Sequence, residues 1–163
     1  LWQSAGTPAR VRRHCEMVSS VSMSLGLALA GRGLKVNVPL LRGAALFHDV
    51  CRHEKDHAAA GATFLEHNGF SRLARIASGH RDLPANAPIE ARIVHLADKL
   101  VKDTGLVTLE ERIEMMRSTY GEDPAAWRSI REKFARARRT SRMIERATGL
   151  DLHNLLKFRG KDI

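Results

Sequence analysis

Aromatic residues are scarce in this sequence: Phe, Trp and Tyr make up 5% of 163 positions, with a single Tyr. That leaves little material for the base-stacking platforms with which proteins hold single-stranded nucleic acid. Cysteine is scarcer still. Cys15 and Cys51 are too few for a disulfide framework, and their apolar surroundings read as small buried hydrophobes with reduced thiols, as in a cytoplasmic protein. No stretch approaches the roughly 18 continuous apolar residues of a membrane helix, and the N-terminus has neither an initiator Met nor a signal-peptide pattern. The expectation is a soluble chain without a membrane partner, excised from something longer. Acidic residues are outnumbered, 18 against 27 Lys and Arg, and the formal charge of +9 favours an anionic partner. Much of that positive charge falls in "WRSIREKFARARRTSRMIERATG", for which the ordinary reading is a solvated helix face.

Alternating strand patterns are also missing, whereas helical spacing runs through nearly the whole chain. The fold class read from this is all-α. Thr7 and Pro8 look like an N-cap and first-turn proline for a helix whose stripe is Val11, His14, Val18, Val21 and Leu25. Asn37 with Pro39 opens a second helix, with Leu41, Ala44 and Ala45 leading at the same spacing onto His48 and Asp49. Asp56 caps a third, ended by Gly69, with His57 in its first turn and small residues at Ala60 and Gly61 that admit a close neighbour. Ser71 starts a fourth, placing Leu73, Ile76 and His80 on one face. Pro88 opens a fifth, with Ala91, Val94, Asp98 and Val101 together. Beyond Gly105, Thr108 and Glu111 form a capping box, and "EDP" caps a long basic helix with a buried stripe of Trp127, Ile130, Phe134, Ala137, Ser141 and Ile144. "LHNLLKF" reads as a short packing helix. With no repeat or long linker, 1–163 is one domain: a core over about 8–105 and a C-terminal helical extension over 106–163, the latter for packing and regulation.

Six polar residues thus fall on inward faces: His14, His48, Asp49, His57, His80 and Asp98. One buried imidazole is ordinarily a satisfied core histidine. Burying ionisable groups without partners costs several kcal/mol as an order of magnitude, so six from five helices call for a common partner, and a metal centre supplies one.

In this order and spacing these residues resemble the HD superfamily of metal-dependent phosphohydrolases, over about residues 10–105. The pattern is an early helix His in "RRHCEMV", the His-Asp pair in "LFHDV", intermediate histidines in "DHAAAGA" and "SGH", and a late Asp in "HLADKL". The resemblance implies an HD-domain helical bundle in which His14, His48, Asp49 and Asp98 hold a first metal. His57 and His80 hold a second, with Asp49 bridging and orienting a metal-bound hydroxide. The branch it most resembles is the small dinuclear domain that hydrolyses dinucleoside tetraphosphates, although "ADKLVKDTGLVTLEERI" lacks that branch's Pro and Arg arrangement. Cys51 replaces the Gly of "HDIG" relatives, and Gly79-His80 stands where cyclic dinucleotide phosphodiesterases have adjacent histidines, which disfavours that activity.

Such a ligand set implies a metal-dependent phosphohydrolase with one or two divalent ions, and imidazoles with carboxylates suit Fe, Mn, Zn, Ni or Co better than Mg or Ca. Substrate phosphate needs cations, for which Arg52, Arg81, Lys99 and Lys102 are the candidates. His53 reads as a loop residue, His67 as serving a helix end, His95 as a neighbour of Asp98, and His153 as packing; Met115, Met116 and Met143 fit helix packing. The expected partner is a small phosphorylated, nucleotide-like substrate, with a homodimer or nucleic acid as further candidates. The competing readings are a nucleic-acid-binding module and a metal-stabilised regulatory module without catalysis.

Overall fold

The computed structural model describes residues 1–121 and 123–157. Its elements are α1 (Ala9–Ala30), α2 (Val38–Phe47), α3 (His57–His67), α4 (Ser71–Ser78), α5 (Ile89–Leu100), β1 (Val101–Lys102), β2 (Gly105–Leu106), α6 (Leu109–Tyr120), α7 (Pro124–Thr148) and α8 (Leu152–Lys157). The fold is an all-α bundle. Of the residues read as caps or packing, Glu122 of "EDP" and Phe158 of "LHNLLKF" lie outside the described residues.

The apolar stripes of α1, α2 and α5 meet in one core, with Val18, Leu25, Leu41, Ile93, Leu96 and Val94 at or near zero exposure. The same core takes Ile130, Phe134, Ala137 and Ile144 from α7, so the basic helix is amphipathic and buries its apolar side against α1 and α5. α1 and α2 approach closely because residue 26 is glycine: a Cβ there would overlap the Leu41 side chain. A smaller cluster of Val50, Cys51, Leu65, Ala74 and Ala77 joins α3 and α4 to the end of α2. Here Gly61 admits the close neighbour expected of it, since its Cβ would lie 3.3 Å from Val50.

Local signals set several ends. Asn37 caps α2 by accepting from the Leu40 amide at 3.0 Å. Gly69, at φ +83, turns the chain out of α3 in the left-handed conformation that glycine takes without a Cβ penalty. Thr108 and Glu111 close a complete capping box on α6, and Asp123 caps α7 through the Ala125 amide. Elsewhere the ends differ from expectation. Pro8 occupies the N-cap of α1, while the Thr7 hydroxyl donates to the Val50 carbonyl at 2.6 Å and ties the N-terminal segment to the end of α2. Asp56 stands at the N-cap of α3 without a side-chain hydrogen bond. α4 stops at Ser78, so His80 reaches its position from the turn beyond the helix. Val101 leaves the helix for a two-residue antiparallel hairpin, with Lys102 paired to Gly105. Asp103 makes the hairpin turn at φ +54, a conformation Asp tolerates better than most residues.

Candidate metal centre

The six inward polar residues converge in two groups of three whose ligand atoms lie within 4.8 Å of one another: His14, His48 and Asp98, then Asp49, His57 and His80. His14 comes from the second turn of α1, His48 and Asp49 from the chain leaving α2, His57 from the first turn of α3, His80 from beyond α4, and Asp98 from the last turn of α5. Asp98 Oδ1 stands 3.3 Å from His14 Nε2 and 3.6 Å from His48 Nε2. Asp49 lies at the junction. Its Oδ1 is 3.3 Å from His57 Nε2 and 3.2 Å from His80 Nε2, and its Oδ2 is 3.8 Å from His48 Nε2.

Main-chain carbonyls fix three of the four rings. His48 Nδ1 donates to Ala45 at 2.9 Å, His80 Nδ1 to Ala77 at 2.6 Å, and His14 Nδ1 to the Asp103 carbonyl at 3.1 Å. The hairpin turn therefore orients His14. A neutral ring whose Nδ1 carries the hydrogen keeps a lone pair on Nε2, the arrangement in which imidazole ligates a metal. His57 differs. Arg52 Nη1 stands 3.2 Å from its Nδ1, and because a guanidinium only donates, Nδ1 must be the acceptor there.

The fit to a cation rests on two orphaned atoms. His48 Nε2 and Asp49 Oδ1 are both buried without a hydrogen-bond partner. A lone pair facing carboxylate oxygens is repulsive, and a cation between them turns that repulsion into attraction. The titration of the site says the same. Burial opposes charging of His48, yet Cys15, Asp98 and Asp49 raise its pKa well above the usual imidazole range: it takes up a proton where positive charge is wanted. Burial likewise opposes ionisation of Asp49, but His80 and His48 hold it at about 2. Asp98, also against burial, is kept well below the usual carboxylate range by Lys99, His14 and His48. Burial lowers His57 to about 4 despite Asp49, with Arg52, His80 and Arg81 adding to the effect.

A family model described as the HD domain matches residues 11–103. The chain belongs to the HD-domain family. The uncharacterized protein MJ0778 of Methanocaldococcus jannaschii is similar to it, 31% identical over 133 residues that cover 69% of this chain and 79% of the relative. No solved structure matches significantly. The HD-domain family is one of metal-dependent phosphohydrolases, and the groups gathered here, imidazoles with carboxylates, are donors that hold divalent metals.

This HD domain opens its candidate centre onto a cleft of about 530 Å³, a size usual for small-molecule sites. All four cations expected to meet phosphate line it, in unlike settings. Arg52 Nε is 3.2 Å from Asp49 Oδ2, and Lys99 Nζ is 3.0 Å from Asp98 Oδ2. Lys102 pairs with Asp103 at 2.9 Å, and Arg81 is exposed beside His80.

The sequence reading missed the other side of this cleft. Arg112, Met116 and Tyr120 from α6 and Ser129, Ile130 and Lys133 from α7 roof the site, so the extension faces the chemistry as well as the core. No local signal marks this, since it depends on how α6 and α7 return across α5. His95, expected only as a neighbour of Asp98, does more: fully buried, it sets Nδ1 2.9 Å from the His80 carbonyl and Nε2 3.2 Å from that of Lys133, linking a site residue to the roof. The remaining histidines stand apart. His53 is in a surface pair with Glu54, His67 contacts the Thr63 carbonyl at the end of α3, and His153 is exposed. Cys15 and Cys51 are free, buried thiols.

Proposed function

We propose that the protein is a metal-dependent phosphohydrolase acting on a small phosphorylated, nucleotide-like substrate. The observation that carries this is the pair of orphaned buried atoms, His48 Nε2 and Asp49 Oδ1, of which Asp49 lines a cleft rich in cations. His14, His48, Asp49 and Asp98 would hold one divalent ion, and Asp49, His57 and His80 a second, with Fe, Mn, Zn, Ni or Co suited to the mixed donors. Bound ions supply an acidified water at neutral pH and neutralise charge on the phosphoryl oxygens.

The chain's own residues do the rest. Asp49 and Asp98 are ionised at any working pH, so both carboxylates stay available as ligands. The Ala45, Ala77 and Asp103 carbonyls hold three rings in the ligating tautomer. Arg52 has a half-exposed side chain against Asp49 and is placed to pass its guanidinium to an arriving phosphate. Arg81 adds charge at the mouth of the cleft, which α6 and α7 also line. No helix among the described residues is long and apolar enough to cross a membrane, and the free, buried Cys15 and Cys51 support a reducing, cytoplasmic setting.

Metal analysis of the purified protein, followed by a panel of phosphomonoesters, phosphodiesters and phosphoanhydrides with and without each metal, tests the reading. Metal-dependent turnover should appear in the wild type and vanish in Asp49→Ala. Unchanged turnover in that variant would remove the assignment. Metal that raises stability without turnover of any compound favours the regulatory alternative.

A further inference from the structure

Arg112 is unlike the other cations of the cleft. Its Nε is shut away from solvent without a hydrogen-bond partner, although leaving a buried polar group unmatched is costly, and more so for a charged one. Arg52, Lys99, Lys102 and Lys133 each stand against a carboxylate of the chain, Asp49, Asp98, Asp103 and Asp82, at 3.2, 3.0, 2.9 and 3.4 Å, and Arg10 and Arg81, which do not, are exposed to water. Among the described residues Arg112 has no such carboxylate, yet it lines the same cleft as Asp49 and Asp98. It also comes from a different element, α6, whose first turn is fixed by the Thr108–Glu111 capping box one residue before it. The cleft therefore has the candidate metal centre as its floor and an unmatched guanidinium in its roof. Apolar Met116 and Ile130 belong to the same roof.

We propose that Arg112 is a specificity-determining residue that receives a second anionic group of the substrate. Resting on the phosphohydrolase reading, this deepens it: the site selects small phosphoesters with two separated anions, one phosphoryl group at the floor and a further phosphate or carboxylate at Arg112. A planar guanidinium binds either oxyanion through two parallel N–H donors, and so matches this chemistry better than an ammonium would.

Non-hydrolysable phosphonates test this without requiring turnover. Propylphosphonate carries one anion, 4-phosphonobutyrate adds a carboxylate, and butane-1,4-bisphosphonate adds a second phosphonate. Calorimetric Kd values are compared on metal-loaded wild type, Arg112→Met, Arg112→Lys and Lys35→Ala, the last removing an exposed charge on the loop between α1 and α2. Wild type should bind one or both double anions roughly ten- to hundredfold more tightly than propylphosphonate. Which of the two gains more identifies the second group. Arg112→Met should lose that advantage and leave the propylphosphonate Kd unchanged, while Arg112→Lys keeps part of it and Lys35→Ala all of it. Circular dichroism melting checks that each variant is folded, and Arg112→Lys keeps the test available if the Met variant is not. The proposal is overturned by equal affinity of wild type for all three compounds, by absence of binding to any of them, by an advantage that survives Arg112→Met, or by an equal loss in Lys35→Ala. If binding follows expectation while no phosphoester is hydrolysed, the hydrolase reading alone fails.

Discussion

His48 Nε2 lies 3.6 Å from Asp98 Oδ1, and the neutral ring has no hydrogen to share there, because its one hydrogen is committed to the Ala45 carbonyl through Nδ1. The contact is repulsive while the ring is neutral and attractive once a positive charge, a proton or a metal ion, joins it. Binding should therefore stabilise the fold. At a metal concentration about 100 times Kd the gain is roughly 2.7 kcal/mol, or about 5–10 °C in Tm for a domain of this size. Scanning fluorimetry with each candidate metal and after chelation measures it, and His48→Ala should abolish the shift. Identical melting of wild type and variant under both conditions would sink the metal centre.

Arg52 and His57 set up an opposition within the second half-site. Arg52 donates to His57 Nδ1, which leaves the hydrogen of the neutral ring on Nε2, facing Asp49. Ligation through Nε2 requires that hydrogen to leave and the guanidinium to move away. A positive charge against Asp49 also weakens cation binding there. Arg52→Ala is accordingly expected to tighten binding of a second ion, roughly tenfold, while lowering kcat/KM for phosphoesters by a similar factor or more. Metal titration followed by calorimetry separates the two effects. Weaker second-ion binding in the variant would show that Arg52 supports His57 as a ligand and does not compete with the ion.

How much of this was legible follows from which signals are local. The inward placement of His14, His48, Asp49 and Asp98 was readable because each continues an apolar stripe at helical spacing, and the complete capping box at Thr108 was readable from two residues. Helical spacing puts His80 on a face of the fourth helix, whereas it reaches the site from a turn past the end of α4. Val101 fits a helical stripe as well as it fits a strand, so periodicity could not find the hairpin whose Asp103 carbonyl orients His14. Arg112 and His95 were illegible as site residues for a deeper reason. Their roles depend on α6 and α7 returning over α5, a long-range packing relation that no short window encodes.

Gly26 was equally silent in the sequence, a single glycine in the middle of a helix. In an exposed helix its replacement by Ala would stabilise by up to about 1 kcal/mol. Here the new methyl overlaps the fully buried Leu41 side chain, and overpacking of a close-packed core costs about 1–3 kcal/mol. Gly26→Ala is expected to be net destabilising by about 1 kcal/mol in urea denaturation. Leu41→Ala alone should cost about 2–5 kcal/mol. The double variant should be more stable than the sum of the two predicts, because each relieves the other. Strict additivity would show that α1 and α2 do not meet closely at this pair.

His95 gives a pH dependence of definite sign. Burial, reinforced by Lys99, lowers its pKa from 6.5 to about 4 despite the carbonyls of His80 and Lys133. The unfolded chain therefore binds a proton across the window from about 6.5 down to 4 that the folded chain refuses. Stability then rises with pH through this window and is level on either side, and the upper limit of the effect is roughly 3 kcal/mol. His57, lowered to about 4, acts in the same window, whereas Asp49 acts only between 3.8 and about 2. The raised His48 has the opposite sign, losing its contribution as pH climbs above the usual imidazole range. A difference curve isolates His95 from all three. His95→Gln keeps an amide donor for one of the two carbonyls but cannot titrate. Its cost in urea unfolding, measured with chelator present, should be largest at pH 7 and shrink by up to a few kcal/mol at pH 4.5. Parallel wild-type and variant curves over that range would mean that the folded state accepts the proton as readily as the unfolded chain. The ring between His80 and Lys133 would then donate to both carbonyls as an imidazolium.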